Sequence, residues 1–219
     1  MRIPAIPFIL AAAFCCFADI FVIDTFSFCR SRDYPTLPCD WGPFQKKHKT
    51  GFYTLERENE SYYVKHKSTS EAVSIGKPVE IDIKNYSRLS WRWRVHALPA
   101  GGDERNKKSG DSGASVYVVF KGVKPMNNII KYVWSTTLPV GTLTQSPHHS
   151  RTKIVVLRSG EDQTGIWVEE SVDLLSDYIK LFSDDSPPMT IAFAIMSDGD
   201  DTNSYVEADY AHFLMYSGE

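Results

Sequence analysis

Three signatures of common enzyme chemistry are missing from this chain. It has no Gly-x-Ser-x-Gly turn, no phosphate-cradling glycine loop and no Cys-x-x-Cys. Three familiar enzyme classes thereby lose their usual support. Basic residues do not dominate either: Lys and Arg number 24 against 27 Asp and Glu, for a formal charge of −3. No basic tail, zinc-finger spacing or RNA-binding motif offsets that sign, so nucleic acid is not an expected partner. Long linkers, internal repeats and low-complexity tails are absent, which leaves one sizeable domain. Helical periodicity is nearly absent as well, whereas a parallel α/β architecture needs a helix after most strands.

Cysteine is sparse, and two of the four cysteines, Cys15 and Cys16, lie in the amino-terminal apolar stretch. Residues 1–18 read as a secretory signal peptide. Arg2 supplies the positive start, Ile6 to Phe17 is apolar, and Cys16-Phe17-Ala18 offers small residues before Asp19. The run is too short to span a bilayer comfortably, so no retained transmembrane segment is expected. The remaining chain, 19–219, is then a single exported domain, periplasmic or secreted. Cys29 and Cys39 stay with it. In an oxidising compartment they can close a small loop around Tyr34-Pro35-Thr36-Leu37-Pro38, with free thiols as the alternative.

What the chain does have is aromatic residues, at 13%, and many short apolar runs between turn residues. That combination predicts a β-rich fold. Strands are expected over 20–23, 61–67, 79–83, 89–95, 115–120, 129–135, 153–157, 164–170, 190–196 and 208–216. In Ser90-Trp91-Arg92-Trp93-Arg94-Val95 the tryptophans share one face and the arginines the other. In the last run, Tyr210, His212, Leu214 and Tyr216 alternate with Ala211, Phe213 and Met215. Leu174 to Phe182 is the one helix pattern, with Asp173 placed to cap it and Pro187-Pro188 ending the region. The fold class that follows is all-β, an antiparallel two-sheet sandwich of jelly-roll (galactose-binding-like) type with one short helix.

Two aspartate-rich edges adjoin strand-like runs: Gly110-Asp111-Ser112-Gly113-Ala114 and Met196-Ser197-Asp198-Gly199-Asp200-Asp201-Thr202-Asn203. Carboxylates at the end of a buried strand need cations, donors or water. Asp198, Asp200 and Asp201 offer oxygens at a spacing that suits calcium, although the offsets are not those of an EF-hand. Aspartates accepting backbone N–H groups in Asx turns are the competing reading. Glu207 and Asp209 join the acidic rim if their strand runs beside Asp198. Tyr117, Tyr132, Trp134 and Trp167 are candidates to line a concave face and stack on sugar rings, with Arg92 and Arg94 as hydrogen-bond donors. His148-His149 sits in a loop, and adjacent histidines in extended chain face opposite ways, which disfavours shared ligation of one metal.

The leading expectation is therefore an exported, non-catalytic binding module for a glycan or other polar small ligand, with calcium as a candidate ion. The candidate ligand residues are Arg92, Arg94, Asp111, Tyr117, Tyr132, Trp134, Asp198 and Asp200. One alternative is a metal-assisted glycan hydrolase or lyase using Asp111, Asp198 and Glu207. The other is a structural envelope protein, recognisable by a flat apolar or strand-edge surface.

Several pieces in their order resemble a bacterial family of uncharacterised proteins, domain of unknown function 3047. They are Leu89-Ser90-Trp91-Arg92-Trp93-Arg94-Val95, Gly110 to Phe120, Ile130-Lys131-Tyr132-Val133-Trp134, Asp177-Tyr178 with Phe182, and Met196 to Thr202. The resemblance covers Val22 to Tyr216 and implies an exported β-sandwich similar to carbohydrate-binding jelly rolls, with no established activity. It also marks two departures. Ser112 stands where the family often has a second aspartate, and Asp201 stands where it usually has asparagine, which adds negative charge.

Overall fold

The computed structural model describes residues 18–44, 50–122 and 126–218. All but the last position of the expected leader, residues 1–18, lies outside the described residues. Among the described residues, thirteen strands form two packed sheets, accompanied by one helix. The first sheet has six strands: β1 (Ile20–Asp24), β3 (Tyr53–Glu58), β4 (Ser61–Thr69), β6 (Arg88–Ala97), β11 (Val168–Asp173) and β13 (Tyr205–Tyr216). Its order is β11-β6-β13-β4-β3, with β1 also on β13. The second has seven: β2 (Gly42–Pro43), β5 (Ala72–Ile81), β7 (Ala114–Phe120), β8 (Asn128–Ser135), β9 (Leu143–Gln145), β10 (Thr152–Ser159) and β12 (Thr190–Asp198). They run in the order β2-β5-β12-β7-β8-β10-β9. This is the expected jelly-roll-type sandwich with one short helix.

One pairing departs from the antiparallel rule. β10 runs parallel to β8, because the chain leaving β8 first lays down β9 at the edge and then pairs β10 antiparallel to it. The strand expected over 164–170 is also displaced. Gly165 has φ 75° and Thr164 bonds back to the Glu161 carbonyl, which makes a turn, and β11 begins at Val168.

Alternation places the core. On β6, Trp91 and Trp93 point inward, and on β8 Tyr132 and Trp134 point inward to meet them; all four are at most 1% exposed. Ring centroids lie 5.5 Å apart for Trp91–Tyr132 and 6.0 Å for Trp93–Trp134. Large buried rings such as these contribute roughly a few kcal/mol each by area alone. Tyr132 and Trp134, expected as ligand contacts, are thus core residues, and their alternation with Lys131 is what turns that lysine outward. Helix α1 (Leu174–Phe182) starts where the Asp173 carboxylate accepts from the Ser176 N–H at 2.9 Å. It ends at Ser183, whose φ of 54° is left-handed. Its Tyr178 packs on Phe120 at 4.6 Å, which closes one end of the sandwich.

Cys29 and Cys39 are joined, with Cα atoms 5.3 Å apart. Their loop holds Leu37, fully buried, against the core. Replacing both cysteines by serine is expected to cost about 2–3 kcal/mol, mainly by freeing the unfolded chain. Thermal denaturation should show a midpoint lower by roughly 4–12 °C. An unchanged midpoint would show that packing alone holds this loop.

Candidate functional site

The outer face of the seven-stranded sheet carries a cleft of about 500 Å³. Register explains its shape. One cross-strand row runs Gly76, Ala194, Tyr117, Lys131, Ile154. A second begins Ser74, Met196, Ser115. Small residues on β5 and β12 leave a depression beside the larger Tyr117. Phe44 lies over Gly76, where a Cβ would approach its ring to 2.8 Å. A side chain at this position would have to displace the Phe44 ring. His148, His149 and Ser146, from the β9–β10 connection, border the other side.

Two aspartate-bearing loops close one end. The Asp111 carboxylate is fully buried and accepts from the Thr202 N–H at 2.7 Å, the Thr202 hydroxyl at 2.6 Å and the Asp201 N–H at 3.3 Å. In return Asp201 accepts from the Gly110 N–H at 3.2 Å and approaches His148 Nε2 at 3.5 Å. Asp198 Oδ1 accepts from the Ser112 N–H at 2.9 Å, and its Oδ2 lies 3.8 Å from Lys131 Nζ. Gly199 permits the turn, since any Cβ there would meet the Ser204 carbonyl oxygen at 2.5 Å. The two acidic edges thus converge, with Asp111 serving chiefly to stitch the loops.

Burial dominates the electrostatics of the cleft. It pushes the Asp198 carboxyl up to about 7, with Lys131 pulling down and Asp111 pushing up. Burial alone would lower Lys131, but Asp198, Tyr117 and Glu104 more than reverse it and hold the ammonium above its ordinary value. That ammonium also sits 5.5 Å from the centre of the Tyr117 ring. Asp200 is raised by burial and then by Asp111 and Asp201. One carboxylate oxygen from each of Asp111, Asp200 and Asp201 falls within 4.8 Å of the others. Three such oxygens are a partial set for a hard cation. Asp198, expected in that set, is instead turned to Ser112 and Lys131.

Several expected residues lie elsewhere. Arg92 and Arg94 project from the outer face of the six-stranded sheet, with Tyr63 and Trp167. There Arg94 donates to Asp209 at 2.8 Å and to Glu58 at 3.2 Å. Glu207 pairs with Lys65 at 3.3 Å on the same sheet. Neither Glu207 nor Asp209 therefore joins Asp198, because β12 and β13 belong to different sheets. Lys131 and Glu104 line the cleft although neither was a sequence candidate, and His148 and His149, disfavoured as a shared metal pair, border it as well. The alternation Lys131-Tyr132-Val133-Trp134 carried the signal for Lys131. Glu104 lies in an irregular charged connection with no period to read. It is 1% exposed, accepts from the Ser135 hydroxyl at 2.7 Å through Oε2, and leaves Oε1 without a partner among the described residues.

Among the described residues, no helix is long and apolar enough to cross a membrane. No curated protein matches this sequence. Similar solved structures include the family 11 carbohydrate-binding module of the cellulosomal cellulase Lic26A-Cel5E of Clostridium thermocellum. It is 7% identical, with 92% of this chain and 96% of that chain covered and a TM-score of 0.47. The carbohydrate recognition domain of Emp47p is 10% identical over 90% of this chain and 95% of its own, with a TM-score of 0.46. The xyloglucanase domain of NopAA, a type three effector from Sinorhizobium fredii, is 8% identical over 81% and 93%, with a TM-score of 0.45. At these identities and scores the likenesses carry no function across. The chain does belong to a family, the one described as Protein of unknown function (DUF3047), which it matches over residues 40–214.

Proposed function

We propose that this protein is an exported, non-catalytic binding module that takes a glycan or another polar small ligand in the cleft of the seven-stranded sheet. One observation carries the reading: a partly buried ring, Tyr117, lines the cleft beside a floor of small residues, with Lys131 next to it in the same cross-strand row and Asp198 within 3.8 Å of that ammonium. A ring beside a shallow floor suits the flat apolar face of a sugar. The ammonium, the hydroxyls of Ser74, Ser146 and Thr152, and the ring nitrogens of His148 and His149 supply fixed polar contacts. Calcium at Asp111, Asp200 and Asp201 would tie the two loops at the cleft end and so assist binding. The expected leader and the Cys29–Cys39 bridge both suit the periplasm or the exterior.

A glycan array with the purified mature protein, run with calcium and with chelator, tests the reading. Binding to a defined glycan set is expected, and Tyr117→Ala should weaken it about tenfold, the equivalent of losing ~1–1.5 kcal/mol of ring contact. Uniform failure under both conditions would contradict it. A metal-assisted hydrolase or lyase is the second reading, favoured by the Asp198 carboxyl at about 7, a value suited to a general acid at neutral pH. Prolonged incubation of bound glycans should release no new reducing ends. Release that disappears in Asp198→Asn would replace the first reading with the second.

A further inference from the structure

The opposite face of the sandwich carries a recess of about 240 Å³ among Tyr62, Tyr63, Arg92, Trp167 and His212. Its construction depends on a break in β13. Ala211 pairs with Arg92 on β6 and Leu214 pairs with Ser90, so His212 and Phe213 together stand opposite the single Trp91. His212 takes a left-handed φ of 55°, which is strained for a residue with a side chain. This bulge returns Phe213 and Met215 to the core. It leaves Ala211 and His212 both at the recess, against the simple alternation expected for this strand. The small Ala211 beside Arg92 leaves room above the strand.

Most of the partly buried charges on this face are paired, and Arg92 is an exception. Asp209 takes Arg94 at 2.7 Å, His96 at 2.7 Å and Lys65 at 3.9 Å. Glu207 takes Lys65, and Glu58 takes Arg94 and the Trp167 indole N–H at 2.9 Å. Arg92 forms no hydrogen bond or ion pair among the described residues. Glu169, opposite it in the ladder, makes none with it. Its guanidinium is instead held 5.2 Å from the centre of the Trp167 ring. A planar guanidinium braced on an indole keeps its donors arranged for a two-oxygen acceptor. Burial first and Arg92 second keep His212 below its ordinary pKa, so it adds a neutral ring rather than a second cation.

We propose that this recess is a second binding site, separate from the cleft on the other sheet, and that it takes a carboxylate-bearing ligand gripped by Arg92. A carboxylate matches the guanidinium fork, and Tyr62, Ser61 and Asn59 line the recess as partners for the rest of the ligand, while Glu58, also in the lining, is engaged by Arg94 and the Trp167 indole. A uronate residue of a saccharide and a free small carboxylate share this chemistry.

Tryptophan fluorescence reads the site directly. Of the five tryptophans, Trp41, Trp91, Trp93 and Trp134 are at most 2% exposed, which leaves Trp167 as the partly exposed reporter. The full mature protein is titrated at constant ionic strength with oligogalacturonate, a neutral galactan oligosaccharide, and acetate, with calorimetry in parallel. A saturable change with oligogalacturonate or acetate, and none with the neutral sugar, is expected; the tighter of the two acids identifies the source. Arg92→Met should raise that Kd at least tenfold, and Tyr117→Ala, in the other cleft, should leave it unchanged. Absence of saturable binding by both methods, equal response to the neutral sugar, or an Arg92→Met variant that binds as wild type would each overturn the proposal.

Discussion

Asp198→Asn is expected to remove a loss of folding stability of about 2–4 kcal/mol that the wild-type protein suffers from this group between about pH 4 and pH 8. In the fold this carboxyl titrates at about 7, against an ordinary value of 3.8. The folded state therefore keeps a proton that the unfolded chain has already released. Stability from this group is complete below the unfolded value and is lost as pH rises through the folded one. Burial is the main cause; the neighbouring Asp111 adds to it and Lys131 only partly offsets it. Asparagine retains an oxygen for the Ser112 N–H and carries no charge to desolvate. Urea unfolding of both proteins at the two ends of the range measures the effect. The difference between them should move in the variant's favour by the stated amount as pH rises. A difference independent of pH would show that Asp198 ionises freely in the fold.

His66→Phe is expected to give an effect of similar size and opposite sense. His66 is fully buried beside the Tyr53 ring at 4.6 Å, and neither ring nitrogen has a partner among the described residues. Burial holds its pKa at about 3 against an ordinary 6.5. Here the unfolded chain takes up the proton first, so stability is present above 6.5 and drains away as pH falls toward 3. At about pH 4 the loss amounts to roughly 3 kcal/mol, and phenylalanine abolishes it. Unfolding at that pH and at about 7.5 should show a gain for the variant that is larger by this amount on the acid side. Equal gains would contradict a neutral buried His66. Between the two ordinary values His66 and Asp198 pull stability in opposite directions, so each single variant exposes a slope that the wild-type protein masks.

Much of this architecture was legible in alternation. Trp91 and Trp93 on one parity, with Arg92 and Arg94 on the other, gave the core and solvent sides of β6 correctly. The aspartates of 110–113 and 198–203 adjoin β7 and β12, which pair with each other, and they do meet. Parity within a strand cannot say which sheet owns an outward face, however. Arg92 and Arg94 therefore lie on the side of the sandwich opposite Tyr117, and the single aromatic–arginine groove divides into two separate places. Parity also failed at His212, because the bulge there rests on a left-handed φ of 55° that a histidine does not signal in the sequence. Glu104 and His148 come from irregular connections, whose positions depend on long-range packing and carry no local period.

Whether a glycan occupies the cleft beside Tyr117 and Lys131 is decided by a crystal structure of the protein soaked with the best glycan from the array. The sugar should lie against the Tyr117 ring with a hydroxyl within hydrogen-bonding reach of Lys131 Nζ. Well-ordered ligand seated elsewhere, with that ring and ammonium untouched, would contradict this placement.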